Sequence, residues 1–361
     1  MSKKIKVLLA LSGGVDSSVA VKLLLDQGYD VTAAFIRIWS DTKTVQGVCS
    51  WKEERRDALR VAALFNVPLI TLNFEKEYRE QVASYMFREY EAGRTPNPDI
   101  LCNNQIKFPL LWKEAVARGF DFIATGHYVR KKRVGRGLAP RHESWKLLVG
   151  KDPNKDQPYF LHRLTQEDLV HTLFPIGKFK KDKVRKLARK CGIPVADKRS
   201  TRGLCFIGKV DMSEFLAQGT KSKPGKIVMI DGKVIGEHKG ITPYTIGQRH
   251  GFGQGSGKPL FVIKKDAVTN TLVVGEENDP ALNPKEIKLT DLFWISGKEL
   301  KLPLKCKARI RYRAPLESAT IYKLQATSYN LVFKKSIHAP APGQFVVFYK
   351  GDECLGGGVI G

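Results

Sequence analysis

The stretch Leu8-Leu9-Ala10-Leu11-Ser12-Gly13-Gly14-Val15-Asp16-Ser17-Ser18-Val19-Ala20 decides the fold of this chain. The apolar run over residues 5–11 predicts a buried parallel strand, and apolar residues at helical spacing resume from Val19 onward. A strand, a tight turn and a helix in this order point free backbone N–H groups and the positive end of the helix dipole at one place, which suits a phosphate group. The two glycines allow close backbone approach, and the serine hydroxyls add donors. An ordinary tight turn is the alternative interpretation, and no lysine follows as in a Walker loop.

Strands and helices go on alternating through the first half of the chain. Strands are predicted at residues 31–38, 69–72 and 120–124, and helices at 51–65, 75–91 and 107–118. This alternation predicts an α/β protein with a doubly wound parallel sheet, which binds ligands at the carboxyl ends of its strands. The proline- and asparagine-rich stretch 93–104 predicts an ordered loop without regular structure.

The second half of the chain has a different sequence pattern, in which short β-like runs are separated by turns rich in glycine, proline and aspartate. We predict a small β-rich module over residues 209–284 and a small barrel or sandwich over residues 285–361. Four cations alternate along residues 307–313, which predicts a phosphate-contacting ridge on one face of a strand. A solvated strand face is the alternative.

The formal net charge of +25 favours a polyanionic partner, either nucleic acid or an acidic membrane surface. The cations cluster at residues 130–141 and 178–186 instead of alternating with acids, and this favours nucleic acid over a merely solubilising surface. No stretch approaches the roughly 20 apolar residues of a membrane span. The first strand follows the N-terminal Met1 almost at once, without room for a signal peptide. We therefore expect a cytoplasmic protein.

The six cysteines are widely spaced and form no Cys-x-x-Cys pair, which argues against a disulfide framework and a zinc site. Cys102 lies in the predicted loop beside an acid and several amides. Cys205 has cations on its N-terminal side, and nearby positive charge lowers the pKa of a thiol. For each cysteine, a small buried side chain is the alternative to a reactive thiol. His127 ends a predicted strand at the same sheet edge and is either a site residue or an ordinary histidine.

Several motifs recur in the order seen in one known family. They are the Ser-Gly-Gly-Val-Asp-Ser-Ser loop, Gly93-Arg94-Thr95-Pro96-Asn97-Pro98-Asp99, Leu101-Cys102-Asn103, Ile106-Lys107-Phe108, Ala124-Thr125-Gly126-His127-Tyr128, Lys155-Asp156-Gln157, Cys205-Phe206-Ile207-Gly208, Pro224-Gly225 and Leu355-Gly356-Gly357-Gly358. On these motifs the chain resembles the bacterial tRNA-specific 2-thiouridylases of the PP-loop ATP pyrophosphatase superfamily. The resemblance covers nearly the whole length. It implies a PP-loop catalytic domain over residues 1–208, with the adenine nucleotide alpha hydrolase-like fold, followed by a small β-rich domain and a tRNA-contacting barrel.

The resemblance also implies a reaction and its residues. ATP, accompanied by Mg²⁺, adenylates the C2 oxygen of a wobble uridine, and a persulfide on Cys205 supplies sulfur. Asp99 is the implied general acid/base, and Cys102 is the second catalytic thiol, able to form a disulfide with Cys205. The implied ATP contacts are Ala10, Leu11, Ser12, Gly13, Gly14, Val15, Asp16, Ser17, Ile36 and Gly126. The implied tRNA contacts are Asn97, Pro98, Asp99, His127, Lys155, Asp156, Gln157, Arg311, Tyr312 and Gln344.

The implied partners are tRNA and a sulfur-relay or cysteine desulfurase protein, with the chain itself a monomer and no residue dedicated to a metal. This sequence departs from the family pattern at Ile36, Ile38 and Thr201. Two other functions stay open: a PP-loop ligase that forms an amide or lysidine-type bond, and a tRNA-binding module that holds ATP as a structural ligand. A ligase does not need two cysteines, whereas sulfur transfer needs a soft nucleophile and a second thiol as its acceptor.

Overall fold

The computed structural model describes residues 4–40, 50–134, 144–198, 215–216, 219–220, 223–249, 259–325 and 327–361. The predicted persulfide residue Cys205 and the departure at Thr201 lie outside the described residues. Among those that are described, no helix combines the length and apolar character needed to cross a membrane.

The first half of the chain forms a parallel sheet with helices on both faces. Its strands and helices are β1 (Lys6–Ala10), α1 (Val15–Asp26), β2 (Asp30–Arg37), α2 (Ser50–Leu64), β3 (Leu69–Asn73), α3 (Glu75–Tyr78), α4 (Ser84–Glu91), α5 (Pro98–Leu101), α6 (Phe108–Ala117), β4 (Phe122–Ala124), β5 (Val129–Val134), β6 (Ser144–Val149), α7 (Pro158–Leu161), α8 (Gln166–His171), β7 (Thr172–Leu173) and α9 (Lys181–Lys190). Two π-helical segments, Arg79–Ala83 and Cys102–Lys107, join α3 to α4 and α5 to α6.

The sheet confirms the predicted doubly wound topology. Its order is β3-β2-β1-β4-β7, all parallel, so the connection reverses direction between β1 and β4. Successive residues of β1 face opposite layers, because side chains alternate along a strand. Val7 and Leu9 pack with α1, α2 and α9, whereas Leu8 packs with the helices between β3 and β4. The loop after β1 therefore lies at the switch point where such sheets bind ligands.

The prediction of an irregular loop over residues 93–104 is wrong for its second half. Pro98 occupies the first turn of α5, where a helix requires no N–H donor, so this proline starts the helix instead of breaking it. The asparagines that follow lie in the π-helical segment, whose wider turn leads directly into α6. Asp99 and Cys102 are therefore helical residues.

A four-stranded sheet follows, composed of β8 (Gly225–Met229), β9 (Val234–His238), β10 (Phe261–Asp266) and β11 (Thr271–Gly275). Its order is β10-β11-β8-β9, and within the described part of this sheet β11 and β8 pair in parallel whereas the other two pairs are antiparallel. The sheet has a small core of its own around Ile227, Val262 and Leu272.

The C-terminal part is a closed barrel, which decides between the predicted barrel and sandwich. Its six strands are β12 (Glu286–Trp294), β13 (Leu304–Arg309), β14 (Glu317–Lys323), β15 (Ser328–Phe333), β16 (Phe345–Lys350) and β17 (Glu353–Ile360). Pairing of β12 with β17 closes the ring. The β5–β6 hairpin extends the same sheet, because Leu147 pairs with Cys354. The barrel is thus joined to the parallel-sheet unit by strand pairing, and the exact domain boundaries stay a prediction.

The predicted cationic ridge over residues 307–313 is wrong. Strand β13 ends at Arg309, and the next residues form a turn in which Arg313 has a φ of +67°. The Arg309 side chain is only 15% exposed and is paired with Asp156. Alternation along a strand cannot continue through a turn, so these cations do not share one face.

Candidate functional site

The turn between β1 and α1 has the geometry of an anion-binding loop. Gly13 has a φ of +71°, and a Cβ there would collide with the backbone carbonyl of Glu54 in α2. Gly14 caps α1 without any side-chain hydrogen bond to the helix. The first N–H groups of α1 therefore lack a side-chain acceptor, and together with the helix dipole they favour a bound anion.

Serine side chains brace this loop from within. The hydroxyls of Ser12 and Ser17 lie 3.1 Å apart, and the backbone N–H of Ser12 donates to Ser17 Oγ. The hydroxyls of Ser17 and Ser18 both donate to the carbonyl of Gly14, at 3.1 and 2.8 Å. Ser12 is exposed whereas Ser17 and Ser18 are buried, so Ser12 offers its hydroxyl to a ligand and the other two shape the turn.

Gly126, at the end of β4, packs directly on the first turn of α1. A Cβ at this position would lie 2.7 Å from the backbone N of Ser17. Only glycine lets the two chain segments approach this closely, because real Cβ contacts are longer. The predicted ATP-contacting residues of the loop and Gly126 are therefore brought together by the fold.

Asp16 forms a polar cluster with two residues that the sequence did not single out. Its Oδ1 accepts hydrogen bonds from the Tyr128 hydroxyl and the Lys181 ammonium, each at 2.6 Å. Burial lowers the pKa of Lys181, and Asp16 partly opposes this effect. Burial, followed by the negative charge of Asp16, raises the pKa of Tyr128. The cluster fixes α9 beside the loop and places one cation there.

A run of contacts leads from this loop to the helix that bears Cys102. The Nδ1 atom of His127 lies 2.8 Å from Thr125 Oγ1, and the imidazole stacks on Phe108 at a centroid distance of 5.8 Å. Lys107 precedes Phe108 and donates to Asn103 Oδ1 at 3.0 Å. Burial and the nearby Lys107 charge hold the pKa of His127 well below its usual value, so its imidazole is neutral.

The predicted catalytic residues of this helix differ in exposure. Asp99 lies in the first turn of α5 and is half-buried, whereas Cys102 begins the π-helical segment and is 3% exposed. Asn97 is the N-terminal cap residue of this helix and is half-buried. Because Cys205 is not described, its separation from Cys102 stays a prediction.

The predicted tRNA-contacting residues fall into two groups. Arg311 is exposed, and Tyr312 packs on Phe160 at a centroid distance of 4.6 Å with part of its ring accessible. Asp156 is instead 9% exposed, forms an ion pair with Arg309 at 2.8 Å and accepts a hydrogen bond from Tyr349 at 3.0 Å. The polar atoms of this second group bind the protein itself.

Two further members of the set also bond the protein. Gln157 Oε1 accepts from the backbone N–H of Tyr128 at 2.5 Å. Gln344 Nε2 donates to the carbonyls of Thr95 and Pro96 at 2.9 and 3.3 Å. Lys155 is half-buried, and its backbone N–H donates to the Asp152 carbonyl.

Ile36 lies on β2 and is 8% exposed, so the position implied for the nucleotide pocket presents an apolar surface.

A magnesium cage does not fit the residues present: within the described part of the chain, no three His, Cys, Asp or Glu side chains form a group able to hold a metal ion. Asp16, the carboxylate at the loop, is already neutralised by Lys181. A magnesium ion that accompanies ATP would take its ligands mainly from the phosphates.

Sequence reasoning missed Lys181, Tyr128 and Tyr159 as site residues. Lys181 was visible only as one cation in a basic run, and the tyrosines carried no motif that assigned them a partner. Glu54 was also missed: burial raises the pKa of this carboxyl to about 7, and its backbone closes over Gly13. Each of these contacts joins distant parts of the chain.

The fold and the loop define a PP-loop-type α/β protein with an appended β-barrel. The family model for the tRNA methyl transferase HUP domain matches residues 5–209. The models for the tRNA methyl transferase PRC-barrel domain and the aminomethyltransferase beta-barrel domain match residues 213–276 and 284–360.

Curated relatives match over almost the full chain. The tRNA-specific 2-thiouridylase MnmA 2 of Geobacillus kaustophilus is 45% identical over 358 residues, which is 98% of this chain and 94% of that protein. MnmA of Bacillus subtilis is 42% identical over 358 residues, with the same shares. The chain belongs to the family of tRNA-specific 2-thiouridylases, which are tRNA sulfurtransferases. A solved 4-thiouridine synthetase–RNA complex with bound ATP is 18% identical and covers 59% of this chain and 50% of that one; its TM-score of 0.36 is too low to add to the argument.

Proposed function

We propose that this chain uses ATP to thiolate the C2 position of the wobble uridine in tRNA anticodons, with sulfur carried as a persulfide on Cys205. The observation that carries the proposal is a continuous series of contacts. It begins at the loop before α1, passes through Gly126 and His127, and ends at the helix that bears Asp99 and Cys102. An anion-binding loop and a thiol-bearing helix at one sheet edge suit an adenylation followed by sulfur transfer. Family membership supports the same activity.

The first step activates the uridine. Its O2 attacks the α-phosphorus of ATP, the bond from that phosphorus to the bridging oxygen breaks, and pyrophosphate leaves. Asp99 accepts the N3 proton of the base as O2 attacks. The unsatisfied N–H groups of α1 and the Lys181 ammonium lie where negative charge on the leaving phosphates needs compensation. The base has to leave its stack to reach this site.

The second step replaces oxygen by sulfur. The terminal sulfur of the Cys205 persulfide attacks C2, and AMP leaves with the electron pair of the C2–O2 bond. The Cys102 thiolate attacks Sγ of Cys205, the S–S bond breaks, and its electron pair remains on the sulfur attached to C2. Release of hydrosulfide by Cys102 before attack on C2 leaves the same products. In both orders a Cys102–Cys205 disulfide remains, and a thiol reductant supplies the two electrons that reset it.

Two thiols are chemically required, because one carries the sulfur and the other releases it. Exclusion of water is also required, since water would hydrolyse the adenylated base. The burial of Cys102 is consistent with a site that closes around the base. The proposed partners are tRNA and a sulfur-relay or cysteine desulfurase protein, and the proposed setting is the cytoplasm with the chain as a monomer.

Nucleoside mass spectrometry tests the proposal directly. Bulk tRNA is incubated with the full chain, ATP, Mg²⁺ and a persulfide-generating cysteine desulfurase, and 2-thiouridine derivatives are counted after digestion. Cys102→Ser and Cys205→Ser should each abolish product. Cys191→Ser is the matched control, because Cys191 lies half-exposed at the C-terminal cap of α9 and should retain full turnover. Wild-type thiolation by either catalytic variant would contradict the two-thiol step, whereas ATP turnover with tRNA but no 2-thiouridine from the wild type would favour a ligase.

Pyrophosphate release separates the remaining alternative. The adenylation step predicts that tRNA stimulates pyrophosphate release from ATP, including in Cys205→Ser, since no sulfur is needed for activation. An ATP-binding module without catalysis would show no stimulation by tRNA.

A further inference from the structure

The barrel forms hydrogen bonds with the chain immediately before the helix that bears Asp99. The Thr95 N–H donates to the Pro342 carbonyl at 2.8 Å, and the Gln344 side-chain amide donates to the Thr95 and Pro96 carbonyls. We call residues 342–345 of the barrel the barrel clamp. Its own backbone is tied to the end of β17, because the N–H of Gly343 donates to the Ile360 carbonyl and the N–H of Ile360 donates to the Gln344 carbonyl.

Gly343 brings the clamp close enough to hold the loop. Its φ is +88°, and a Cβ there would lie 2.9 Å from Arg94 Cβ and 3.0 Å from the Thr95 N atom. A side chain would therefore be strained by its backbone and would push against the loop. The two chain segments touch backbone to backbone.

Tyr159 extends the grip to the next residue. Its hydroxyl donates to the Phe345 carbonyl at 3.0 Å, and the Asn97 side chain lies close enough to oppose part of the burial-driven rise in the pKa of the phenol. Thr95 and Pro96 are thus bonded to the barrel clamp, and Asn97 lies beside the buried tyrosine that bonds the clamp at Phe345. Asn97 is the N-terminal cap of α5, so the clamp sets where that helix starts.

Both donors of the Gln344 amide are used in this contact. A glutamine amide has two N–H donors and one carbonyl acceptor, and here the two donors face two backbone carbonyls. The remaining Oε1 accepts only, and it cannot bond a phosphate oxygen, which also accepts. Gln344 would have to release the loop before it donated to tRNA.

We propose that Gln344 is a positioning residue, which acts on the reaction by holding the chain at the Asn97–Asp99 start of the catalytic helix. This inference rests on the proposed function, because it concerns where Asp99 and Cys102 stand during thiolation. On this inference, the barrel helps to position the residues that carry out the reaction. Loss of the clamp moves the reacting groups and leaves exposed cations elsewhere, such as Arg311, in place.

Steady-state kinetics of Gln344→Met test the inference, because methionine keeps the length of the side chain and removes both donors. A misplacement of about 1 Å costs on the order of 10²-fold in rate. We expect kcat for tRNA thiolation to fall by about that factor with the KM for tRNA within about twofold of wild type. Gly343→Ala, which keeps Gln344 and displaces the loop, should show the same pattern.

Gln166→Met is the matched control. Gln166 also donates to two backbone carbonyls, those of Trp145 and Ile295, and so also links the hairpin to the barrel, but it makes no contact with the loop before α5 among the bonds described. A general loss of stability would affect both glutamine variants alike. The inference requires that Gln166→Met keep the wild-type kcat at a temperature where both variants are folded.

A second measurement does not depend on turnover. The reduced full chain is treated with iodoacetamide, and peptide mass spectrometry follows alkylation of Cys102, which is 3% exposed. We expect alkylation to be about tenfold faster in Gln344→Met than in wild type or Gln166→Met, because the helix start is released.

The outcomes separate the inference from the proposed function. A raised KM for tRNA with unchanged kcat in Gln344→Met would overturn the positioning role and assign a direct tRNA contact, while thiolation itself stands. Equal Cys102 alkylation in all three proteins would overturn the clamp. A wild-type chain that makes no thiouridine would overturn the proposed function, and the alkylation rates would still decide whether the clamp holds the helix.

Discussion

Asp16 and Lys181 lie 165 positions apart in the sequence, and the fold brings Asp16 Oδ1 to 2.6 Å from Lys181 Nζ. The pair joins the first turn of α1 to the first turn of α9, with side chains 28% and 15% exposed. Tyr128 donates to the same carboxylate oxygen, so three separate segments converge on the anion-binding loop. The loop that opens the fold is thus completed by a helix from the far end of the parallel-sheet unit.

Replacing Lys181 by methionine should impair ATP use. The change leaves the Asp16 carboxylate without its counter-charge at the proposed site of the ATP phosphates, and the carboxylate and phosphate charges would repel. We expect tRNA-stimulated pyrophosphate release to fall at least about tenfold, and the free energy of unfolding to fall by about 2 kcal/mol, less than for a fully buried pair. Pyrophosphate release and urea denaturation measure the two effects.

Lys190→Met is the control for that experiment, because Lys190 lies at the far end of the same helix and is exposed. It should change stability by less than about 0.5 kcal/mol and leave pyrophosphate release intact. The double variant Asp16→Asn with Lys181→Met should regain most of the lost stability, since no charge is left unpaired. Wild-type pyrophosphate release from Lys181→Met would contradict the role given to this pair.

The stability of the chain should fall in acid because of His162. This side chain is fully buried, and burial lowers its pKa from 6.5 to about 3. Its Nδ1 bonds the Tyr159 carbonyl, and Nε2 has no partner in the structure. The unfolded chain takes up a proton below pH 6.5 and the folded chain does not, so this stability is present above pH 6.5 and is lost as pH falls toward 3.

The free energy of unfolding should fall with a slope that approaches about 1.4 kcal/mol per pH unit, which amounts to about 2.3 kcal/mol between pH 6.5 and 4.5. Urea denaturation of wild type and His162→Asn across this range measures it, and the variant should show a shallower slope by that amount. A comparison of the two proteins at pH 8, where the imidazole is neutral in both states, gives the cost of the substitution alone. Parallel slopes would contradict this assignment.

Arg309→Met should destabilise the junction between the barrel and the parallel-sheet unit. Asp156 is buried, and the loss of its 2.8 Å partner leaves an uncompensated carboxylate next to Tyr349. We expect a loss of about 3 kcal/mol in the free energy of unfolding, measured by urea denaturation. Lys307→Met on the same strand is exposed and should cost less than about 0.5 kcal/mol. If Arg309→Met lowered the free energy of unfolding by less than about 0.5 kcal/mol, the ion pair would not stabilise the junction.

Binding of tRNA should depend steeply on salt. With about six phosphate contacts, affinity should fall on the order of 10³-fold between 50 and 200 mM salt. Lys183 and Lys186 are exposed on α9, the helix that begins at Lys181. Replacing both by glutamine should lower the slope of log affinity against log salt by about two if both contact phosphates. Filter binding at several salt concentrations measures this, and a flat response of the wild type would contradict the charge argument.

Much of the parallel-sheet unit followed from local patterns. The apolar run before Ser12 and the helical spacing after Val19 predicted β1 and α1, and the alternation of strands and helices predicted the doubly wound sheet. The helix over 98–107 could not be predicted in the same way, because Pro98 and the asparagines disfavour regular structure in isolation. Burial of Ile100, Cys102 and Ile106 against the core stabilises it instead.

The same distinction applies to the candidate site. Alternating cations over residues 307–313 predicted an exposed ridge, whereas Arg309 is drawn inward by Asp156. The family motif marked Gln344 as a tRNA contact, and its hydrogen bonds join it to Thr95 and Pro96. A charge or an amide in a sequence does not reveal which partner it will meet.

The sequence by itself determined the phosphate-binding turn, the class of the fold and the family, because each depends on residues close together along the chain or on motifs read in order. Only the tertiary structure decided that Lys181 pairs with Asp16 beside the loop, that Asp156 is buried, and that the barrel bonds the chain just before α5. The physical reason is that periodicity and turn chemistry act over a few residues, whereas burial and ion pairing depend on which distant segments pack together.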